Sequence, residues 1–184
     1  MKTIAILFFA FFLLAIQTDA QIYYTRTAKV TFFSEAPMEN IEAHNGTANM
    51  VIDFSKGSIE SAVLIKGFKF EKALMQEHFN ENYMESHKYP KSVFVGQITD
   101  YNGIDLEVNG NHEVNVKGEI TIHGVTQPLT TPATIKVKDG SVQTHCKFTV
   151  EVADFDISIP GVVRDNIAKE IEVTIDANLN RLEQ

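Results

Sequence analysis

The chain has a single cysteine, Cys146, no tryptophan and only five prolines among its 184 residues. One thiol excludes an intramolecular disulfide and any cysteine-based metal cluster, so stability has to come from backbone hydrogen bonding and apolar burial. Basic residues are scarce as well: 16 Lys and Arg stand against 24 Asp and Glu, a formal net charge of −8. That balance argues against nucleic acid as a partner and offers no basic patch to an anionic membrane. A Gly-rich phosphate loop, a GxSxG nucleophile motif and HExxH or HxH metal spacings are all missing.

Long apolar runs are also lacking, with one exception. Ile4 to Ile16 is uninterrupted, preceded by Lys2 and followed by Thr18-Asp19-Ala20. A spanning helix needs about 20 apolar residues, so this run suits the core of a cleaved signal peptide better than a membrane anchor. Residues 1–20 are therefore read as a signal peptide and 21–184 as one periplasmic or secreted domain without a stable membrane span. No cysteine follows the cut, which excludes a lipid-modified N-terminal Cys. The remaining length suffices for a core without staples.

What is present is strand after strand. Apolar residues alternate in Val30–Phe33, Met50–Phe54, Ile59–Phe70, Val93–Tyr101, Ile104–Asn109, His112–His123, Leu129–Lys138, Ser141–Phe155 and Ile171–Leu179. The pairs Lys56-Gly57, Asn102-Gly103 and Asp139-Gly140 supply the positive φ that tight hairpins require. Short hairpins in succession favour up-and-down antiparallel order. Between Phe70 and Phe94 the period changes. Leu74, Met75, His78, Phe79 and Tyr83 form one helical stripe, predicting a helix over about 71–84 that Tyr89-Pro90 prevents from continuing. An ordered loop is the alternative there, because Asn80 and Asn82 are poor helix formers.

The alternation assigns faces. Val114, Val116, Gly118, Ile120 and Ile122 share one face, against Asn115, Lys117, Glu119, Thr121 and His123 on the other. Met50, Ile52 and Phe54 repeat the pattern, as do Cys146, Phe148 and Val150, and Phe94 and Ile98 flank Gly96 similarly. Small inward residues, namely Gly96, Gly118, Ala28 and Ala177, either leave space inside an eight-stranded barrel or mark bends that larger neighbours fill. Both readings stay open on pattern alone.

Candidate chemistry is thin. The six histidines, His44, His78, His87, His112, His123 and His145, lack ligand spacing, and His123 and His145 fall on the wet face. Cys146 reads as a small inward apolar residue and not a nucleophile. Asn45-Gly46-Thr47 matches a glycosylation acceptor that only a eukaryotic source would use. Catalytic residues, metal ligands and cofactors are therefore assigned as none. The candidate site is an apolar lining: Val30, Phe32, Met50, Ile52, Phe54, Phe70, Met75, Phe79, Phe94, Ile98, Val116, Ile120, Cys146, Phe148 and Val150. A tube of this kind has no charge to grip a sugar or nucleotide, and its natural occupant is an extended lipid chain.

Three segments resemble a known family. They are Gly118–Pro128 (GEITIHGVTQP), His78–Phe94 (HFNENYMESHKYPKSVF) and Val150–Ile157 (VEVADFDI), in order and spread over most of the chain after residue 20. They resemble the YceI family of lipocalin-like bacterial proteins. The resemblance implies an extended eight-stranded antiparallel barrel with one inserted helix and a long apolar cavity. It also implies a carrier of a polyisoprenoid or other amphiphilic lipid, commonly in the periplasm, and a homodimer is compatible with it. Gly124, Val125, Thr126 and Pro128 would form a structural turn. One departure stands out: where many members carry an H-x-G-x-F-type strand and turn, this chain has TFFSEAPMENIEAHNGTANM, with Pro37. Entry path and head-group contacts therefore do not carry over.

Three functions compete: a lipid-binding module, a filled barrel that binds a partner through its acidic exterior or loops, and an enzyme. The last would need a convergent polar cluster, for which Glu42, His44, Asn45 and His112 are the first residues to inspect.

Overall fold

The computed structural model describes residues 21–99, 101 and 103–182. The expected leader, and Asn102 of the expected Asn-Gly turn, lie outside the described residues. Nine antiparallel strands form one sheet: β1 (Ile22–Glu35), β2 (Asn40–Asp53), β3 (Ser58–Leu64), β4 (Lys69–Phe70), β5 (Lys91–Thr99), β6 (Gly110–Ile122), β7 (Val125–Lys138), β8 (Ser141–Glu151) and β9 (Glu170–Arg181). The order β1-β9-β8-β7-β6-β5-β3-β2 closes on itself because β2 also pairs with β1. The result is the expected all-β architecture, an eight-stranded antiparallel barrel, with β4 a two-residue addition to β2 at Ala43 and His44. Closure removes the unpaired edges that an open sheet would expose. Register shifts in β1 between Thr25 and Val30 are the bulges that bend this strand so that it pairs on both sides.

Face assignment follows the alternation. Val116 and Ile120 are buried while Asn115, Lys117 and Glu119 are exposed, and Met50, Ile52 and Phe54 are buried while Val51 is exposed. Two-residue hairpins sit where φ is positive. Asp139 and Gly140 (φ 49° and 76°) join β7 to β8, and His123 and Gly124 (φ 50° and 79°) join β6 to β7 across the pair Ile122–Val125. A histidine is an unusual choice for that turn.

Several boundaries differ from the sequence expectation. Ile59–Phe70 is not one strand: β3 stops at Leu64, a 3-10 turn occupies Ile65–Gly67, and β4 follows. Asn45 enforces this break. Its buried amide donates to the Leu64 carbonyl (2.8 Å) and lies where a side chain on residue 67 would stand, so only Gly67 fits. The Asn45 Oδ1 accepts from the Thr47 N–H and hydroxyl at 2.8 and 2.9 Å. With no exposed surface, Asn45 is a bracket and not a glycosylation acceptor. Ser141–Phe155 likewise ends at Glu151 and turns into a 3-10 segment, Val152–Phe155.

Ile104–Asn109 is not a strand at all. Ile104 and Leu106 are buried in the core while Val108 is 58 % exposed, so a plug that turns at 105–108 imitates strand alternation. Tyr101 organises it: its hydroxyl donates to the Phe54 carbonyl and accepts from the Ile104 N–H. Asn109 then ties the plug to the β7–β8 turn through two hydrogen bonds with Asp139 (2.7 and 3.0 Å).

The expected helix is present in two parts, α1 (Ala73–His78) and one π-helical turn, Phe79–Tyr83. Phe79 anchors it. Its ring stacks on Phe32 at 5.4 Å and meets Phe70 at 5.0 Å and Phe68 at 5.7 Å. Leu74, placed on the buried stripe by its spacing, is 61 % exposed: the stripe is narrower than predicted and excludes it.

Candidate functional site

Strand directions divide the barrel into two ends. At the base, the loop 103–109 and the β2–β3 and β7–β8 turns close the bottom, and Tyr23 meets Phe54 edge to face at 5.5 Å. At the opposite end lie the β1–β2 turn, the 65–90 segment with α1, the β6–β7 turn and the 152–169 segment. Between the floor, set by Ile52 and Ile135, and this upper end lies a cavity of about 440 Å³. Its wall is almost wholly apolar, with Phe94, Val116, Ile120, Cys146, Phe148, Val173 and Ile175 at mid-height.

Thirteen of the fifteen expected lining residues border this cavity: Val30, Phe32, Met50, Ile52, Phe70, Met75, Phe79, Phe94, Val116, Ile120, Cys146, Phe148 and Val150. Phe54 and Ile98 do not. They point inward as predicted but lie below the floor, packed with the plug. Sequence reasoning missed the contribution of the 157–167 segment, from which Ile157, Ile159, Val163 and Ile167 reach the cavity. Its apolar residues follow no regular period, so no signal marked them.

Gly96 and Gly118 face each other across β5 and β6. A β-carbon on Gly118 would meet the Val95 carbonyl at 2.3 Å and the Phe94 ring at 2.8 Å, and one on Gly96 would meet the same ring at 2.5 Å. The glycines therefore do not leave empty space of their own. They let the Phe94 ring lie flat along the wall, and the lumen stays open because that ring does not cross it.

Polar groups on the cavity wall are few and mostly engaged by the backbone. Thr131 donates to the Lys147 carbonyl at 3.1 Å, and Ser34 Oγ accepts the Ala168 N–H at 2.9 Å. Burial pushes the Cys146 thiol up to about 11, with the Asp176 carboxylate adding to the effect. A thiol held protonated in this way is a poor nucleophile. Of the other polar lining residues, Ser61, Ser92, Thr144 and His145 lie on β3, β5 and β8, whereas Glu39, His78, Tyr83 and Asn166 sit on the segments of the upper end.

The set first worth inspecting for catalysis does not converge. His44 and Glu42 pair on the outer face at 3.5 Å, Asn45 points into the core, and His112 begins β6 at the base. Among the described residues no group of three or more His, Cys, Asp or Glu is arranged to hold a metal ion. His123 differs from expectation. As a turn residue it is only 9 % exposed, with Nδ1 at 3.0 Å from the Phe155 carbonyl, Nε2 at 3.1 Å from Glu85, and Tyr89 edge-on at 4.5 Å. It fastens the 84–89 turn and the 152–155 segment to the β6–β7 hairpin, which explains the tolerated positive φ.

The family model of the YceI-like domain matches residues 23–179. The chain belongs to the YceI-like family. The matched span runs from the second residue of β1 to within two residues of the end of β9 and so takes in nearly the whole barrel of this YceI-like chain. Among solved structures, a polyisoprenoid binding domain from Saccharophagus degradans is similar at a TM-score of 0.74 and 11 % identity, covering 89 % of this chain and all of that one. BcnA of Burkholderia cenocepacia is similar at 0.68 and 18 % identity, covering 83 % and 96 %. The YCEI protein of Campylobacter jejuni follows at 0.55 and 19 %, covering 75 % and 81 %. No curated protein matches the chain. At these identities the likeness establishes the fold. Among the described residues no helix is long and apolar enough to cross a membrane.

Proposed function

We propose that this YceI-like chain is an exported, non-catalytic binding protein that holds one extended hydrophobic or amphiphilic molecule, a polyisoprenoid or similar lipid, for transport, storage or sequestration. The observation that carries this reading is the hollow upper half of the barrel, about 440 Å³ behind an almost wholly apolar wall. Pockets of this size and composition suit small apolar ligands. A filled barrel acting only through its exterior would not maintain such a space, because an unfilled apolar cavity forfeits packing energy. The polyisoprenoid binding domain with the same fold supports the ligand class.

In this reading the apolar tail lies against Phe94, Cys146, Phe148 and Ile175, and a polar head group sits near Glu39, His78, Tyr83 and Asn166. The signal-like sequence of residues 1–20 supports a location in the periplasm or outside the cell. Solvent extraction of purified protein followed by mass spectrometry tests the reading. A lipid is expected at up to one equivalent from the wild type and is lost from Cys146→Phe, which fills the lumen. Extracts free of lipid, together with failure to load any polyisoprenoid alcohol, would contradict it.

A further inference from the structure

The three most exposed large apolar side chains among the described residues are Val162 (93 %), Met38 (73 %) and Leu74 (61 %). They come from three separate segments: the 3-10 turn Gly161–Asn166, the β1–β2 turn and α1. Those segments meet at the upper end of the barrel. The Met38 N–H donates to the Asp165 carbonyl at 3.1 Å, and Glu39 pairs with Lys72 at 2.6 Å. Each exposed residue is also the chain neighbour of one that lines the cavity: Val162 of Val163, Met38 of Glu39, Leu74 of Met75. At Val162–Val163 and Leu74–Met75 one residue borders the lumen and its neighbour faces solvent, and beside Met38 the Glu39 carboxylate turns out to Lys72 at the cavity edge. The three most exposed apolar residues therefore flank the upper end of the apolar lumen.

We propose that this rim docks the open end of the barrel onto a phospholipid bilayer surface, where the ligand passes between membrane and lumen without crossing water. The inference rests on the lipid-binding reading for its purpose, though not for its test. Three side chains on separate segments, none aromatic, offer far less than the roughly 800 Å² per partner of a stable protein interface. Shallow insertion of a few apolar side chains is the mode of a reversible membrane contact. Charge selects the lipid. Glu39 is neutralised by Lys72, Arg164 stands beside Asp165, and Lys66, Lys69, Lys88 and Lys169 offset Glu71, Glu77, Glu81 and Glu85, so the rim is of mixed sign on a chain of net charge −8. A zwitterionic surface tolerates this balance and an anionic one repels it.

The absence of tryptophan makes the test direct. Met38→Trp, Leu74→Trp and Val162→Trp each introduce the sole tryptophan into the chain from Gln21 onward, which supplies every strand of the barrel. Val108→Trp places one at the base, 58 % exposed in the native chain. The probe is a vesicle of phosphatidylcholine brominated on its acyl chains, which quenches only tryptophans that enter the bilayer. The three rim tryptophans should lose about half their emission or more, and Val108→Trp should be unchanged. Adding Met38→Ser and Leu74→Ser to Val162→Trp should weaken vesicle binding by about threefold or more. No quenching at any rim position overturns the proposal and leaves the rim to a protein partner. Equal quenching at position 108 overturns the orientation on which it depends. Quenching is read on ligand-free protein, so failure to find a bound lipid would sink the functional reading and leave this result standing.

Discussion

At the base of the barrel Ile52, Phe54, Ile135, Val137, Val142 and Leu179 keep 0–2 % of their surface, whereas Phe94, Cys146, Val150, Val173 and Ile175 higher up are only half-buried. Both sets occupy inward positions on the same continuous strands, and residue size does not separate them, since Phe and Ile occur in each. The difference comes from what enters the barrel from its ends. The base receives Ile104 and Leu106 on a loop pinned by Tyr101, with Tyr23 against Phe54. The upper half is capped and not plugged: Phe155, Ile157, Ile159, Val163 and Ile167 border the cavity without filling it, α1 lies across its end on a cluster of four phenylalanines, and Phe94 lies flat over the Gly96–Gly118 pair. One pattern of alternation thus builds a solid foundation and a vacant chamber, and the vacancy is affordable because the foundation is solid.

The comparison fails if the two halves respond alike to truncation. Phe54→Ala should destabilise by about 3–5 kcal/mol in guanidinium unfolding, as expected of a fully buried ring. Val173→Ala on the half-empty wall should cost less than about 1 kcal/mol, because few contacts are lost. Equal costs would mean that the upper half is packed in solution.

The second contrast lies in pH. Burial holds the Cys146 thiol protonated, raised from 9.0 to about 11. Because the folded value lies above the unfolded one, its contribution is complete below pH 9 and is lost as pH rises toward 11. Between pH 8 and pH 10.5 the loss should reach about 2 kcal/mol relative to Cys146→Ala, measured by denaturation at the two values. A water-filled chamber would abolish the difference. In the same range of effect, Gly118→Ala should cost about 1–3 kcal/mol, since its new methyl group meets the Val95 carbonyl and not a movable side chain.

The inward faces of β5, β6, β8 and β9 and of the assigned parts of β1 and β2 were legible from period-two alternation, as were the helix position and most of the lining residues. The first halves of β1 and β2 were not marked as strand. Vacancy was not legible, because it depends on whether a loop enters the barrel and on which way one ring turns. Ile104, Leu106 and Val108 show the difficulty, as their alternation suits a strand and a buried turning loop equally well. His123 was assigned to the wet face by parity, which ceases to apply at a turn residue, and it is buried. Leu74 fits the helical spacing but lies beyond the narrow contact that Phe79 makes with the wall. Resemblance to the family supplied the closed barrel and the cavity, which no local pattern encodes.

The least perturbing distinction between the two halves comes from diffraction of xenon-pressurised crystals, since xenon enters dry apolar cavities without altering the chain. The account predicts xenon density among Phe94, Cys146, Phe148 and Ile175 and none among Phe54, Ile98 and Leu106. Absence of density in the upper chamber, or density in the base, would contradict it.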